Sequence, residues 1–267
     1  MYGCLLPAAV LCLYSVIFQV GAVQLTIAYE NKAQPPYYMG NSHSVPKLQP
    51  GITVEMIQML EQSIPGLEIT LLRRPWPRCL KELGANSVDG IFNASYKSER
   101  LQAGWYPTTD GSHSGPIDTA RRTITIAYSL YTLKDSLLSW DGQNFTNLNA
   151  SKIAAPLGYS IVGDLENKGI TVIKSLSSRM TFEMLIRRRV EGIVLQEVTG
   201  DAILQAYPKE YQQAAKVTPA VAVKPYYLML SHGFVQKHPQ LAQQIWDSLR
   251  VIRETQFYGI ALKYLPR

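Results

Sequence analysis

The sequence predicts an α/β protein built from two lobes with a ligand cleft between them. The prediction rests on an order of elements, β-α-β-α-β, that occurs twice along the chain. The strands that close the two units are similar, VDGIF at 88–92 and VEGIV at 190–194. Two extended apolar-aromatic segments, 123–140 and 221–234, stand where the chain would cross between units. Each unit is half of an open parallel sheet, whose ligands bind beyond the carboxyl ends of the strands.

Each unit is predicted from the periodicity of its apolar residues. At 52–64 they recur at helical spacing before Pro65-Gly66 ends the helix, whereas the strands are short apolar or alternating runs. The first unit consists of strand 25–30, helix 52–64, strand 67–72, helix 78–83 and strand 88–92. The second consists of strand 152–155, helix 159–167, strand 170–173, helix 178–188 and strand 191–195.

A long amphipathic helix is predicted at 239–265, with an apolar face formed by Leu241, Ile245, Trp246, Leu249 and Ile252. We expect this helix to pack on the first unit after the chain has crossed back. The first lobe is then discontinuous, 23–127 with 229–267, and the second lobe is 128–228. No further module is expected beyond the helix.

Composition sets the broad class of protein. With 267 residues, of which 46% are hydrophobic and 17% charged, the chain can bury one large core or two smaller ones. The net charge is +6, but no run of Lys and Arg with interleaved aromatic residues occurs. The cluster Arg187–Arg189 falls at a predicted helix end, where cations complement the helix dipole. We therefore predict no nucleic-acid partner.

The N-terminal segment is free of charged side chains and ends in the small-residue sequence VGA at 20–22. This pattern predicts a signal peptide, 1–22, that is cleaved on export. A membrane anchor stays open as the alternative, because the run lacks a positively charged start and about 20 apolar residues can span a bilayer. Cleavage leaves Cys79 as the one remaining cysteine, so the exported fold does not depend on a disulfide.

Polar side chains are crowded onto the exit of the first unit's last strand, in the sequence FNASYKSER at 92–100. Asn93, Ser95 and Arg100 could present hydrogen-bond donors to an acidic ligand, because a guanidinium holds a carboxylate with two parallel bonds. The alternative is a strand that simply enters a loop, with Arg100 paired at the surface to a nearby carboxylate.

Three further candidates lie in the first unit. Trp76 stands between two prolines on a predicted loop, which is an unfavourable place for a core residue, so we expect it to contact a ligand. Tyr37, or its neighbour Tyr38, could form an opposite aromatic wall. Arg78 could add a second positive group, or lie in solvent at a helix start.

The second unit offers polar groups at two element ends. Ser160 follows Gly158 and Tyr159 at a helix start, where free N–H groups attract an anion, although an ordinary helix cap explains the same residues. The VEGIV strand is followed by Gln196 and Glu197. Both ends fall at the predicted cleft.

Neither catalytic residues nor a metal or cofactor site is predicted. The four histidines are scattered in polar loops, without an HExxH motif or a Ser/His/Asp grouping. Cys79 falls in a helical run, where a small buried side chain is the simpler interpretation. We therefore predict a binding protein rather than an enzyme.

Taken together, the chain resembles the family-3 extracellular solute-binding proteins, the periplasmic receptors of amino-acid ABC importers. The resemblance covers about residues 24–265. It is carried by G-x-x-V-E-M-I at 51–57, N-x-S-x-x-x-x-R at 93–100 and I-x-x-x-L-x-x-I-R-E-T-x-x-Y at 245–258. It implies the type II periplasmic-binding-protein fold, with two α/β lobes on two crossing hinge strands that close on a ligand.

The resemblance also implies roles for several residues. Arg100 would grip the ligand's α-carboxylate together with Ser95, and Asn93 would face the ligand. Trp76 would stack on the ligand and Ser160 would supply a hydroxyl. The family usually places an aspartate for the ligand's ammonium where this chain has Gln196. Either the adjacent Glu197 substitutes from a shifted register, or the ligand is not a standard α-amino acid.

The function expected from these observations is capture of a small, polar, carboxylate-bearing ligand, an amino acid or a derivative of one. A monomer in the periplasm would deliver the ligand to an inner-membrane ABC permease. One alternative is a periplasmic protein that reports its ligand to a membrane sensor. Another is an enzyme on the same fold, such as a dehydratase.

Overall fold

The structure, a computed structural model, describes residues 21–148 and 152–264. Within these ranges no helix is both long and apolar enough to cross a membrane. Residues 1–20 of the predicted signal peptide lie outside the described residues, so the signal peptide stays a prediction.

Strands and helices alternate along the chain, with 3-10 turns at Ser98–Gln102 and Thr119–Arg121. The elements before the first crossing are β1 (Val23–Glu30), α1 (Ile52–Gln58), α2 (Leu60–Ser63), β2 (Leu67–Arg74), α3 (Trp76–Gly84), β3 (Gly90–Ser95) and β4 (Gly104–Trp105). After these come β5 (Ile124–Leu133), β6 (Ser139–Trp140), β7 (Phe145–Thr146), β8 (Ile153–Pro156), α4 (Ser160–Asn167), β9 (Val172–Ser175), α5 (Ser178–Ile186), β10 (Gly192–Gln196) and α6 (Glu197–Ala206). The chain returns through β11 (Ala214–Ser231) to α7 (His232–Lys237) and α8 (Pro239–Leu262).

One nine-stranded sheet runs through the molecule in the order β2-β1-β3-β11-β5-β10-β8-β9, with β4 paired to β11. β1 is parallel to β2 and β3, and β8 is parallel to β9 and β10. The long strands β5 and β11 are antiparallel to each other and join the two parallel half-sheets. We call β1–β4, α1–α3, α7 and α8 the first lobe, and β6–β10 with α4–α6 the second lobe.

The core of the first lobe explains why its central strands are apolar. All six residues of β3 are buried, as expected for a central strand that is covered on both faces. α8 packs against α1 and buries the apolar face that includes Ile245 and Leu249. The indole Nε1 of Trp246 donates to the Leu228 carbonyl oxygen at 2.9 Å, which ties α8 to β11.

Several elements differ from the sequence prediction, including the unpredicted β4, β6, β7 and α7, the last of which begins within the expected crossing segment 221–234. The helix expected at 52–64 is interrupted at Met59, and α6 was not predicted at all. Trp76 is the first residue of α3 rather than part of a loop, because prolines are tolerated just before and within a helix's first turn. The proposed lobe boundaries, 23–127 with 229–267 and 128–228, stay a prediction.

Candidate ligand-binding site

A small cavity, which we call the interlobe cavity, lies where β1, β3 and β10 end and α4 begins. Its volume is about 10 Å³, which is close to the space that one water molecule needs. The predicted site residues that line it are Trp76, Asn93, Ser95, Arg100, Ser160 and Gln196. Tyr37, Arg78 and Glu197 do not line it.

Arg100 is a buried arginine, with 7% of its surface exposed. One terminal nitrogen donates to the Ser95 carbonyl oxygen at 2.7 Å and to its hydroxyl at 3.2 Å. The other donates to the Gly158 carbonyl oxygen at 2.9 Å. The guanidinium carbon lies 5.4 Å from the centre of the Trp76 ring, a cation–π distance. Arg100 therefore faces the cavity rather than a surface carboxylate.

Two amide side chains in the cavity wall have unused hydrogen-bonding atoms. Asn93 is 6% exposed, and its Nδ2 and Oδ1 have no partner among the described residues. Its backbone φ is +58°, in the left-handed region that asparagine tolerates better than most residues. Gln196 donates through Nε2 to the Tyr226 hydroxyl at 3.3 Å, while its Oε1 is unpartnered in the part of the chain described. Buried unpaired polar groups are costly, and these atoms are free to bond to a ligand in the cavity.

Glu30, at the carboxyl end of β1, is a wall residue that the sequence analysis missed. Its side chain is 8% exposed, and Oε2 accepts bonds from Gln34 Nε2 at 2.6 Å, Tyr38 Oη at 3.0 Å and Tyr159 Oη at 2.7 Å. Burial raises the pKa of Glu30, and the three hydrogen bonds and the Arg73 charge only partly oppose this. The available signal was a lone glutamate ending an apolar strand.

Tyrosines form much of the remaining wall. The hydroxyls of Tyr128 on β5 and Tyr226 on the neighbouring antiparallel strand β11 are hydrogen-bonded to each other. Burial raises the pKa of both, and that of Tyr38 and Tyr159, above the ordinary value, so all four are neutral at physiological pH. Of the two tyrosines considered in the first loop, Tyr38 lines the cavity.

The site residues outside the cavity have other contacts. The Arg78 side chain is exposed and pairs with Glu82 at 2.6 Å, as a helix-surface arginine would. Glu197 opens α6 and accepts from the Ser129 hydroxyl at 2.5 Å, with its other oxygen 3.4 Å from Lys216 Nζ. Tyr37 is buried, and burial together with nearby acidic groups raises its pKa to about 12. Glu197 therefore does not line the interlobe cavity in this structure.

The two lobes touch directly across the cavity. Ser95 Oγ donates to Ser160 Oγ at 2.7 Å, and Trp76 Nε1 donates to the Gly158 carbonyl oxygen at 3.2 Å. Tyr159 reaches Glu30 on the other side. Gly158 has φ +79°, and a Cβ on it would lie 3.1 Å from Trp76 Cδ1. The site is thus built from both lobes, in a closed arrangement.

No protein-family model matches this sequence, and no curated protein matches it either. Solved structures do. A histidine kinase sensor domain with similarity to periplasmic binding proteins superimposes with TM-score 0.69 at 16% identity, covering 91% of this chain and 96% of that one. The fold is that of the two-lobed periplasmic binding proteins.

Two further structures extend this comparison. The ligand-binding core of GluR0 from Nostoc punctiforme, in complex with L-glutamate, has TM-score 0.67 at 15% identity and covers 90% of this chain and 99% of its own. An arginine-specific periplasmic binding protein from Salmonella typhimurium has TM-score 0.67 at 13% identity, with coverages of 92% and 100%. These identities are low, so the likeness confirms the predicted fold class and nothing finer.

Proposed function

We propose that this protein is a solute-binding protein that captures a small carboxylate-bearing ligand, an amino acid or a derivative, between its lobes. The observation that carries the proposal is Arg100, a buried guanidinium beside the unpaired amide of Asn93 at the end of β3. Taking a guanidinium out of water is costly unless a strong acceptor compensates. A carboxylate is the acceptor that matches its fork.

In this proposal the ligand's carboxylate takes over bonds that Arg100 now gives to backbone. Its donor to the Gly158 carbonyl crosses from one lobe to the other, so opening the lobes frees that nitrogen. The donor to Ser95 lies within the first lobe and fixes the side chain. Trp76 packs near the guanidinium, whose carbon lies 5.4 Å from the ring centre, and helps to fix the Arg100 side chain at the cavity. Ser95, Ser160 and Asn93 then add neutral hydrogen bonds.

Glu30 takes the role that Gln196 cannot fill. Gln196 is a neutral amide, and Glu197 is turned to Ser129 and Lys216. Glu30 is the acidic side chain that lines the cavity, and a positive group beside it would offset the burial that raises its pKa. We therefore propose a ligand that carries a positive group as well as a carboxylate.

We propose import through an inner-membrane ABC permease, as a monomer exported to the periplasm by the signal peptide 1–22. The likeness to a substrate-binding protein of an amino acid ABC transporter, at TM-score 0.68 and 12% identity, supports this. The likeness to a histidine kinase sensor domain supports the second candidate, a ligand sensor that reports to a membrane partner. An adjacent permease and ATPase gene, or an adjacent sensor gene, would distinguish the two.

A thermal-shift screen tests the binding function. The purified protein is heated with each of a set of amino acids, small carboxylates and polyamines, beside the Arg100→Ala variant. A ligand at 100 times its Kd should stabilise the parent by about 2.7 kcal/mol. Amino acids or carboxylates should shift the parent clearly more than the variant, because a Kd weakened about 30-fold leaves the variant only about 0.9 kcal/mol of stabilisation at the same concentration. A screen in which polyamines alone shift the protein, or in which both proteins shift equally, contradicts the proposal.

A further inference from the structure

A second and larger cavity, which we call the outer pocket, adjoins the interlobe cavity. It lies between the loop 32–35 of the first lobe and the start of α5 with one face of α6 in the second lobe. Its volume is about 340 Å³, whereas the volume of the interlobe cavity is about 10 Å³. The outer pocket is thus the space between the lobes that is large enough for an organic group.

The two spaces share a wall. Glu30 and Tyr159 line both of them, and the 2.7 Å hydrogen bond between these side chains forms the partition. Each lobe contributes one of the two residues. A ligand group that displaces the Tyr159 hydroxyl from Glu30 would therefore connect the cavities and lie between the lobes.

The outer pocket has a different character from the interlobe cavity. Its walls include the small or apolar side chains Ala33, Pro35, Ala202, Ile203 and Ala206. Two cations stand at its edge. Arg179 lies over the Tyr207 ring at 4.3 Å and is 3.4 Å from Glu210, so its charge is already offset. Lys32 is exposed and has no ion-pair partner among the residues described. The wall also includes the polar residues Asn41, Ser177 and Ser178, but its small and apolar side chains suit a largely apolar group.

We propose that the outer pocket is a second subsite for the same ligand, which is a zwitterionic acid longer than a single amino acid. Its carboxylate lies at Arg100, its positive group lies at Glu30, and its apolar body extends past Tyr159 into the outer pocket. A dipeptide, or an amino acid enlarged by an aromatic or aliphatic group, has this shape. The inference rests on the proposed function, since it uses Arg100 and Glu30 as the two charged contacts.

Matched probes test the subsite. Alanine, glutamine and arginine are compared by calorimetry with phenylalanyl-alanine, phenylalanyl-glutamine and phenylalanyl-arginine. Each dipeptide keeps a free carboxylate and a free amine, and adds an aromatic group together with a peptide unit that moves the amine further from the carboxylate. Burying the aromatic group should make at least one dipeptide bind the parent about tenfold more tightly than its amino acid.

Two tryptophan variants on α6 locate the effect. Ala206 and Gln205 are adjacent and exposed, but only Ala206 lines the outer pocket. Ala206→Trp fills the pocket and should remove the tenfold advantage of the dipeptide without changing amino-acid binding. Gln205→Trp adds the same bulk outside the pocket and should leave both affinities unchanged.

The outcomes separate the two proposals. If single amino acids bind as tightly as the dipeptides, and Ala206→Trp changes neither, the second subsite is wrong while the binding function stands. If the advantage survives in Ala206→Trp, the aromatic group lies elsewhere and the subsite is again wrong. If no probe in either set and no amino acid or carboxylate in the thermal-shift screen binds the parent, the binding function itself is contradicted and the subsite with it.

Discussion

In each lobe a strand of similar sequence ends at the interlobe cavity, but the residues that follow these two strands differ in chemistry. The strand VDGIF leads through β3 to Asn93, Ser95 and the buried Arg100, whereas VEGIV leads through β10 to the neutral Gln196. Glu30 also belongs to the first lobe, on the strand adjacent to β3. Both charged side chains in the cavity wall therefore come from the first lobe, and the second lobe contributes hydroxyls and an amide.

Under the proposed function, this difference would divide the binding energy unequally between the lobes. Bonds to charged groups contribute about 1.5–3 kcal/mol each, and neutral ones about 1 kcal/mol. The first lobe would thus hold a charged ligand on its own, and closure of the second lobe would add smaller increments. A ligand that favours the closed arrangement must contact it better than the open one, which is what these neutral bonds supply.

The largest expected effect is the loss of the first lobe's positive charge. Arg100→Ala should weaken ligand binding by at least about 2 kcal/mol, roughly 30-fold, while the fold survives. Arg100→Lys keeps the charge without the fork and should recover only part of the loss. Calorimetry with a ligand from the thermal-shift screen measures both.

Arg78→Ala is the matched control for this prediction. Arg78 is an exposed arginine of the same lobe, paired with Glu82 and absent from the cavity wall. Its removal should leave the affinity unchanged. Equal binding by the parent and Arg100→Ala would show that the charge asymmetry between the lobes has no part in recognition.

Removal of the first lobe's negative charge should have the next largest effect. Glu30→Gln should weaken a ligand with a positive group by about tenfold, since one charge-assisted bond is lost. A plain carboxylic acid should bind the variant at least as well as the parent. An unchanged affinity for the positively charged ligand would remove Glu30 from the site.

The same variant should change the pH dependence of stability. The pKa of Glu30 is raised above its ordinary value of 4.5 in the folded protein, so the folded state holds its proton more tightly than the unfolded state does. Stability then falls as pH rises through this range, and the penalty is absent below the unfolded pKa. Glu30→Gln should therefore be more stable than the parent at pH 8, by an amount that shrinks toward pH 4. Each kcal/mol would appear as about 2–4 °C in Tm.

Smaller effects are expected from the hydroxyls that meet across the cavity. Ser95→Ala and Ser160→Ala each remove one neutral bond and should cost about 1 kcal/mol of binding, roughly fivefold. Because Ser160 belongs to the second lobe, its loss should act on ligand release rather than capture. Stopped-flow rates check this. A slower association rate in Ser160→Ala would argue that both lobes contact the ligand at first encounter.

The smallest effect is expected at Glu197. Its carboxylate contacts Ser129 and Lys216 within the second lobe and the crossing strands, away from the cavity wall. Glu197→Gln should therefore change ligand affinity by less than about 0.5 kcal/mol. A loss as large as that of Glu30→Gln would assign the negative charge to the second lobe and reverse the comparison.

Strand exits were predictable from sequence because parallel strands place their carboxyl ends at one edge, and that rule located Asn93, Ser95 and Gln196. The surroundings of residues just beyond a strand end were harder to predict. Gln196 and Glu197 are adjacent, but the chain changes there from strand to helix, and they face different surroundings. Similarly, two positions along a helix are about 200° apart, so Trp76 reaches the cavity and Arg78 does not.

The local sequence pattern could not assign Glu30 to the wall of the interlobe cavity. Its partner Tyr159 is 129 residues away in the chain, and the contact exists because the lobes close on each other. Helix α6 was missed for a different reason. Its sequence, EVTGDAILQA, contains a glycine and a β-branched pair and has few buried positions, so its apolar periodicity is weak.

Gly158 is a point of close approach between the two lobes, beside Trp76. Its carbonyl oxygen accepts hydrogen bonds from Trp76 and Arg100 of the opposite lobe. Because Gly158 has no side chain, the indole can approach its backbone closely. A Cβ there would stand 3.1 Å from the indole and 3.7 Å from Pro77 Cγ, on a backbone of φ +79° that β-branched residues avoid. The Gly158→Val side chain would sterically block this approach and keep the lobes apart. Every charged group of the site would stay intact, so the variant would be held in an open arrangement.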